Sequence, residues 1–202
     1  MTVDFHPAET EEIMEDIHSP ERIKQIFARA KCLYSSSAIE QALQGMADVI
    51  HKDLQDEDPV VLCVLIGGVV LTGKLLTLLD FPLQVDYIHA TRYGDKTTGS
   101  RLEWVAKPRV SLKGRTVLIV DDILDRGVTL AGIVDYCREQ GAKEIKTAVL
   151  VEKEVSRPDD AVQKADYTGV VVENRYVFGY GMDYKGYLRN APGIFAVAPQ
   201  DQ

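Results

Sequence analysis

The sequence predicts an α/β protein built on a parallel sheet with helices on both faces. Two apolar runs of strand length, residues 60–66 and 117–120, have the composition of strands that are covered on both sides. Each run leads through a short glycine-containing segment into a helix-like segment, and a third strand is predicted over residues 145–151. A chain that alternates strand and helix in this way favours parallel pairing with helices packed on both faces.

Helices are predicted before and between these strands. Residues 9–30 have the composition of one or two polar helices. Ser37 and Glu40 have the spacing of a capping box, which predicts a helix from there to about residue 54. Further helices are expected over residues 69–79 and 129–140, the second of which ends at a glycine.

The remaining segments predict a hairpin and a cap. Strands over residues 83–91 and 101–106 flank a polar, glycine-containing stretch, which is typical of a long mobile hairpin loop. Residues 165–202 hold short strand-like runs and many aromatic residues. We therefore expect one domain over residues 1–202, with the N-terminal helical segment and residues 165–202 contributing a cap over the active site.

Composition restricts the possible partners. The formal net charge of −8 argues against nucleic-acid and membrane binding, because both require a basic face. Three widely spaced cysteines form no metal-binding or disulfide pattern and favour a reducing compartment. The apolar stretch 60–79 is interrupted by glycines and a lysine, and the N-terminus lacks a signal-peptide pattern. We therefore expect a cytoplasmic protein.

The segment from Val117 to Thr129 carries the strongest functional signal. Four apolar residues precede the adjacent acids Asp121 and Asp122, and an Asp-x-Gly-x-Thr turn then opens a helix. In open parallel sheets such a loop lies beyond the carboxyl ends of the strands, where ligands bind. Gly127 allows a tight turn, and backbone N–H groups at a helix start bind phosphate. Carboxylates next to the turn can accept hydrogen bonds from sugar hydroxyls or bind Mg²⁺.

This thirteen-residue string resembles the signature of the type I phosphoribosyltransferases, which bind 5-phosphoribosyl-1-pyrophosphate (PRPP). From about residue 33 to residue 197 the order of segments is similar to that of a bacterial hypoxanthine-guanine phosphoribosyltransferase. The resemblance implies that fold, with a small cap or hood, and the transfer of phosphoribosyl from PRPP to hypoxanthine or guanine. The products would be IMP or GMP and pyrophosphate. The cofactor would be Mg²⁺, and the protein would assemble as a homodimer or homotetramer.

The resemblance also implies roles for individual residues. Asp125 would be the catalytic general base at purine nitrogen 7. Residues implied for PRPP are Asp121, Asp122, Asp125, Arg126, Gly127, Val128, Thr129, Ile66, Gly67, Gly68 and Arg189. Residues implied for the purine are Lys153, which would donate to the 6-oxo oxygen, Tyr176, which would stack on the base, Val177 and Asp183. Metal ligands would be Asp121, Asp122 and Asp183, and the mobile loop would open at Arg92, Tyr93 and Gly94.

Two positions depart from many members of the family. Ile66 stands where many relatives carry a lysine in the pyrophosphate loop, which shifts the binding of pyrophosphate onto backbone amides, metal and Arg189. Arg126 stands where many relatives carry a threonine. Neither departure affects the acids, so we expect activity, with PRPP affinity as the property most open to change.

Other interpretations of the same residues remain open at this point. Residues 152–154 have the composition of a solvated charge run, and a glycine pair after a strand is also an ordinary turn. A xanthine-guanine phosphoribosyltransferase is the nearest alternative enzyme. A PRPP-sensing regulator without catalysis is a further alternative. The sequence shows neither a winged-helix segment nor a basic stripe, and both are expected of such a regulator.

Overall fold

The computed structural model describes residues 19–93 and 101–202. Within these ranges the chain forms, in order, α1 (Pro20–Arg29), β1 (Lys31–Ser35), α2 (Ser36–Leu54), β2 (Val60–Val64), α3 (Val69–Leu76), β3 (Gln84–Tyr93), β4 (Arg101–Ala106), β5 (Thr116–Leu124), α4 (Val128–Glu139), β6 (Glu144–Glu154), β7 (Tyr167–Glu173), β8 (Val177–Phe178), β9 (Gly193–Ala196) and a final 3₁₀ turn (Pro199–Asp201).

The central sheet has six strands in the order β4-β3-β2-β5-β6-β7. β2, β3, β5, β6 and β7 are parallel to one another, and β4 runs antiparallel to β3. β2 is buried along its whole length because helices cover both faces. α2 and α3 pack on the face that carries Val61 and Leu118, whereas α4 packs on the face that carries Leu62 and Ile119. The predicted fold class is confirmed.

A second, three-stranded sheet forms the cap, with the antiparallel order β1-β9-β8. α1 packs against it through Phe27, whose ring contacts the rings of Phe178 and Phe195 edge-on. The end of the described chain is fixed to α1, because Arg29 donates to the buried Asp201 carboxylate at 2.7 and 2.9 Å. Among the described residues, no helix has the length and apolar character needed to cross a membrane.

The predicted capping box at Ser37 and Glu40 is wrong. The capping residue lies two positions earlier than that pattern implies, and the Ser35 hydroxyl accepts from the Ala38 N–H at 3.3 Å. The Glu40 carboxylate instead accepts from Lys74 at 2.6 Å and from the Tyr180 hydroxyl at 2.8 Å. These contacts tie α2 to α3 and to the cap, so tertiary pairing takes the carboxylate away from the helix start.

Two strands extend further than the sequence indicated. The sequence predicts a strand over residues 117–120 and a loop from there to Gly127. In the structure β5 continues through both acids to Leu124, and the loop is limited to residues 125–127. β6 continues to Glu154, so Lys153 lies within a strand. Parallel pairing between the two strands, which reaches Leu124 opposite Glu152, holds the polar residues in extended conformation.

The C-terminal boundary also differs from the prediction that residues 165–202 form the cap. Tyr167–Glu173 is the edge strand of the central sheet, so the cap segment begins after it. β1 is an element that the sequence did not indicate. The predicted mobile loop begins at Arg92 and Tyr93, the last residues of β3, and Gly94 to residue 100 lie outside the described residues, as do residues 9–18 of the predicted N-terminal helices.

Candidate active site

Two adjoining cavities open at the carboxyl ends of the parallel strands. The first, of about 430 Å³, lies between the β2–α3 turn and the β5–α4 turn. The second, of about 510 Å³, lies between β6 and the cap. They share the residues Asp122, Ile123, Asp125 and Asp183. A ligand in one cavity would therefore contact the same acids as a ligand in the other.

The turn between β5 and α4 lines the first cavity. Gly127 has a φ of 72°, a left-handed conformation that a side chain disfavours, and a Cβ there would overlap the Val162 carbonyl oxygen. α4 begins at Val128, directly after this turn, and its first residues, whose backbone N–H groups have no acceptor within the helix, line the cavity. Arg126 is exposed, and Thr129 also lines the cavity. This geometry suits a bound phosphate, and we call residues 125–127 the phosphate turn.

The adjacent acids Asp121 and Asp122 form the floor of the first cavity. The Asp122 N–H donates to the Asp121 carboxylate at 2.9 Å. Burial, together with the neighbouring Asp122 charge, raises the pKa of Asp121 well above its usual range. Burial also raises the pKa of Asp122, although the hydrogen bond with Asp121 and the nearby Arg189 guanidinium oppose that rise. Two carboxylates held together in this way favour a ligand that carries cations or hydroxyl donors.

The glycine pair after β2 closes the other side of the first cavity. A Cβ on Gly67 would overlap the carboxylate of Asp122, and a Cβ on Gly68 would lie 2.5 Å from the Val120 carbonyl oxygen. The cap reaches the same loop, since a Cβ on Gly181 would overlap the Gly67 carbonyl oxygen. Ile66, preceded by a cis peptide bond, is 57% exposed at the cavity. The loop of residues 65–68 thus carries no charged side chain, and its close contacts with Asp122 and Val120 leave room only for glycine at positions 67 and 68.

Arg189 brings positive charge to the acids. Its Nη2 lies 2.8 Å from Oδ1 of Asp183, and its Nη1 lies 4.0 Å from Oδ2 of Asp122. Nη1 also donates to the Gly181 carbonyl at 2.7 Å, which fixes the guanidinium against the cap. Oδ2 of Asp183 accepts from the Gly186 N–H at 2.7 Å. The Arg189 guanidinium thus lies between the cap and the acid Asp122 at the end of β5.

Lys153 and Asp125 form an ion pair between the two cavities. The Lys153 Nζ donates to Oδ2 of Asp125 at 2.9 Å, and the lysine side chain is only 11% exposed. The alternative interpretation of residues 152–154 as a solvated charge run is therefore wrong for Lys153. Glu152 is also engaged, because its carboxylate accepts from the Thr168 hydroxyl at 2.8 Å.

An aromatic side chain from the cap lines the second cavity together with this ion pair. Tyr176 lines that cavity with Val177, which is buried at the start of β8. The Tyr176 ring lies 5.5 Å from the ring of Tyr184, and its hydroxyl accepts from the Lys185 N–H at 3.3 Å. The ring is thus held in place at the cavity wall, as stacking on a planar ligand requires.

The acids predicted as metal ligands do not form a metal site made of protein groups alone. Within residues 19–93 and 101–202, no cluster of three or more Asp, Glu, His or Cys side chains could hold a metal ion. The buried Asp121–Asp122 pair nevertheless fits a cation, since a positive charge would offset the burial and the neighbouring Asp122 charge, which together raise the pKa of Asp121. Mg²⁺ in such sites usually takes one or two carboxylates and completes its coordination with substrate oxygens and water.

Arg157 is the residue of this region that the sequence did not indicate. Its side chain is 7% exposed and donates to the carbonyls of Leu124, Asp125, Lys153 and Gln163 at 2.7–3.1 Å. In the sequence it follows a charged stretch within a loop of Ser, Pro and Asp, which is typical of a solvated residue. Its carbonyl partners belong to three separate segments, so local patterns carry no signal for it.

Comparisons with known proteins agree with this geometry. A family model described as "Phosphoribosyl transferase domain" matches residues 30–185. The chain is 35% identical over 165 residues to a hypoxanthine-guanine-xanthine phosphoribosyltransferase of Tritrichomonas foetus, covering 81% of this chain and 89% of that one. It is 32% identical over 170 residues to the hypoxanthine-guanine phosphoribosyltransferase of Bacillus subtilis, covering 84% of this chain and 93% of that one.

A comparison of folds points to the same group of enzymes. A crystal structure of a hypoxanthine-guanine phosphoribosyltransferase from Bacillus anthracis superposes with a TM-score of 0.78 at 29% identity, covering 83% of this chain and 98% of that one. Both similarities span most of this chain. The phosphate turn, the paired acids and these two similarities together mean that the chain belongs to the phosphoribosyltransferase family, in the group that contains the hypoxanthine-guanine phosphoribosyltransferases.

Proposed function

We propose that the protein transfers the 5-phosphoribosyl group of PRPP to hypoxanthine or guanine, giving IMP or GMP and pyrophosphate. The observation that carries the proposal is the ion pair of Lys153 and Asp125 at the wall of the second cavity. It places a hydrogen-bond donor directly beside an acceptor. A 6-oxopurine has the complementary pair on one edge, an acceptor oxygen at position 6 next to the N–H of nitrogen 7.

The two cavities divide the substrates between them. The 5-phosphate of PRPP would bind the backbone N–H groups of residues 126–129, and the ribose hydroxyls would bind Asp121 and Asp122. Pyrophosphate would lie against the Gly67–Gly68 turn and Arg189. The base would lie in the second cavity, stacked on Tyr176 with Val177 beside it. The shared acids then lie where the two substrates meet.

The chemistry follows from this arrangement. Asp125 accepts the proton of nitrogen 7 as nitrogen 9 bonds to the anomeric carbon of the ribose. Positive charge that develops on the sugar lies near the carboxylates, and negative charge on the leaving group lies near Arg189. Asp121, Asp122 and Asp183 would hold Mg²⁺ together with substrate oxygens, and the bound ion would supply positive charge to pyrophosphate.

Xanthine is the rival base, since the Tritrichomonas relative is named for it. Xanthine carries a second oxygen at position 2, which requires an additional donor. Arg175 lines the second cavity with its Nε 3.2 Å from the Glu173 carboxylate. Its Nη groups and the amides of Asn174 and Gln202 are further N–H donors of the cavity wall. We propose that xanthine is used less well than hypoxanthine and guanine, which need no donor at position 2. Adenine should hardly be used, because its amino group would face the Lys153 ammonium.

An assay of the products tests the function directly. The protein is incubated with PRPP, Mg²⁺ and each of the four bases, and the nucleotides are separated by chromatography. IMP and GMP are expected as main products, with pyrophosphate released in equal amount. Efficient formation of AMP would contradict the base assignment, and absence of any nucleotide would favour a PRPP-sensing role instead.

We further propose that the protein is a homodimer or homotetramer. Val85, Tyr87 and Val105 lie on one face of the β3–β4 edge of the sheet, and each is more than 40% exposed. An apolar face at the edge of a sheet is typical of a surface between subunits. Light scattering after size-exclusion chromatography tests this proposal, which a monomeric mass at micromolar concentration would contradict.

A further inference from the structure

The guanidinium of Arg157 lies behind the ion pair of Lys153 and Asp125, on the side of the main chain. Its Nε donates to the Asp125 carbonyl at 2.8 Å, and its Nη2 donates to the carbonyls of Leu124 at 3.1 Å and of Lys153 at 2.7 Å. One side chain therefore binds the backbone of both residues that form the ion pair. It reaches neither cavity wall, so it does not contact a ligand there.

The same guanidinium also fixes the segment behind the phosphate turn. Nη1 donates to the Gln163 carbonyl at 2.9 Å. The neighbouring Val162 N–H donates to the Gly127 carbonyl at 3.3 Å, and the Val162 carbonyl occupies the space that a Cβ on Gly127 would need. Arg157 thus connects the end of β5, the end of β6 and the back of the phosphate turn.

Backbone pairing between β5 and β6 does not hold Asp125 and Lys153 together. The ladder between the two strands has its last pair at Leu124 and Glu152, one residue before Asp125 and Lys153. Beyond that pair, the described contacts between the two backbones run through the Arg157 guanidinium, whose N–H groups form a fork that binds carbonyls of both strands. An arginine suits this place because its five N–H groups have a fixed planar geometry, which a lysine lacks.

We propose that Arg157 is a positioning residue for base recognition, which sets the separation and direction of Asp125 and Lys153 through their main chains. The proposal rests on the proposed roles of these two residues at the purine. Loss of these hydrogen bonds would free the main chain of Asp125 from the end of β6, which β7 still holds through the pairs Lys153–Val172 and Glu154–Glu173. The ion pair would then be the remaining link between the two residues. A displacement of about 1 Å at a reacting group can reduce a rate by roughly 10²-fold.

The test compares Arg157→Met and Arg157→Lys with a matched control, Arg115→Met. Arg115 also bridges separate segments, through the Asp58 carbonyl at 2.6 Å, but it lies at the opposite end of the sheet. We expect kcat/KM for hypoxanthine, at saturating Mg²⁺ and PRPP, to fall by about 10- to 10²-fold in Arg157→Met. Arg157→Lys should lose at least about threefold, because it keeps the charge but not the fork. Arg115→Met should retain the wild-type value.

A double-mutant cycle separates positioning from general loss of structure. Arg157→Met is combined with Asp125→Asn, and single-turnover rates are compared in both backgrounds. If Arg157 acts through Asp125, its substitution should cost about twofold or less once the carboxylate is absent. The same comparison is made in Lys153→Ala, because the guanidinium also binds the Lys153 carbonyl. A loss in both variants equal to that in the wild-type background would overturn the proposal. If Arg157→Met does not fold, as judged by thermal melting, the same cycle with Arg157→Lys decides the question.

The proposed function fails in a different way. A wild-type rate for Asp125→Asn alone would contradict the role of Asp125 at the purine. Reduced activity in Asp125→Asn together with wild-type activity in both Arg157 variants would leave that role intact and overturn only the positioning role.

Discussion

Lys153 and Asp125 come from the ends of neighbouring parallel strands, and their charged groups lie 2.9 Å apart. Each compensates the charge of the other at a site where the lysine side chain is almost fully enclosed by protein. Removal of either residue therefore leaves an unpaired charge, and the effects of the two single substitutions will not simply add.

Lys153→Ala should lose at least about 10²-fold in kcat/KM for hypoxanthine and guanine, because the 6-oxo oxygen loses its donor. PRPP affinity, measured by calorimetry without base, should change little. Lys146→Ala is the matched control, since Lys146 lies on the same strand near its other end and pairs with Glu144 at 3.1 Å. Unchanged base kinetics in Lys153→Ala would mean that the ammonium does not contact the base.

Asp125→Asn should lower turnover by about 10²-fold or more, within the usual range for a general base. It should also lower the melting temperature, because the enclosed Lys153 ammonium loses its counter-charge. The amide keeps the size of the side chain and an oxygen that accepts from Lys153. Steady-state rates with saturating substrates measure the effect. Asp48→Asn offers the control, because Asp48 pairs with Gln44 on the exposed side of α2 and should keep wild-type turnover.

Asp122→Ala should weaken PRPP binding, and PRPP binding by the wild-type protein should require Mg²⁺. Both expectations follow from the position of the acid pair, which can hold ribose only through its hydroxyls or through a metal ion. Titration calorimetry with Mg²⁺ and with excess EDTA measures them. An unchanged PRPP affinity in EDTA would count against the assignment of the acids.

Gly67→Ala should reduce kcat/KM for PRPP by about tenfold or more, because a Cβ at this position overlaps the Asp122 carboxylate and must displace it. Gly73→Ala is the control within the following helix. A Cβ on Gly73 meets nothing within 4 Å, and alanine in a helix is favoured over glycine by about 1 kcal/mol. Gly73→Ala should therefore be as active as wild type and slightly more stable.

Asp201→Asn should destabilise the protein more at neutral pH than in acid. Hydrogen bonding from Arg29 lowers the pKa of the Asp201 carboxyl, so its ionised form stabilises the folded state above the unfolded pKa of about 4. That contribution is lost as pH falls through the lower, folded pKa. We expect a decrease in melting temperature of about 2–4 °C at pH 7. The decrease should become smaller as the pH falls below about 4. Asp135→Asn is the control, because Asp135 forms an exposed pair with Arg138 and its substitution should have little effect across the same pH range.

The features that the sequence predicted well depend on neighbours in the chain. The apolar runs of β2 and β5 indicate strands that are buried on both faces, and Gly127 indicates a turn that needs a positive φ. The order of strand, turn and helix then places the acids at the carboxyl ends of the sheet. For this reason the fold class and the position of the phosphate turn could be inferred from the sequence.

The features that the sequence missed depend on distant partners. Glu40 has the spacing of a capping residue, yet Lys74 and Tyr180 compete for its carboxylate. β7 resembles the short strands of the cap in composition, and its place in the sheet follows from pairing with β6. Arg157 binds carbonyl oxygens, which every residue has, so no residue type identifies its partners.

The contact of Gly181 with Gly67 has a consequence for the exchange of parts between relatives. The backbone of the cap has a φ of 110° at Gly181 and lies so close to the Gly67 carbonyl that no side chain fits at Gly181. At Gly67 the Asp122 carboxylate excludes a side chain. A cap transplanted from a relative with another base preference must therefore carry a glycine at the position of Gly181. A chimera with alanine there would separate the two halves of the site, however well its base-contacting residues were chosen.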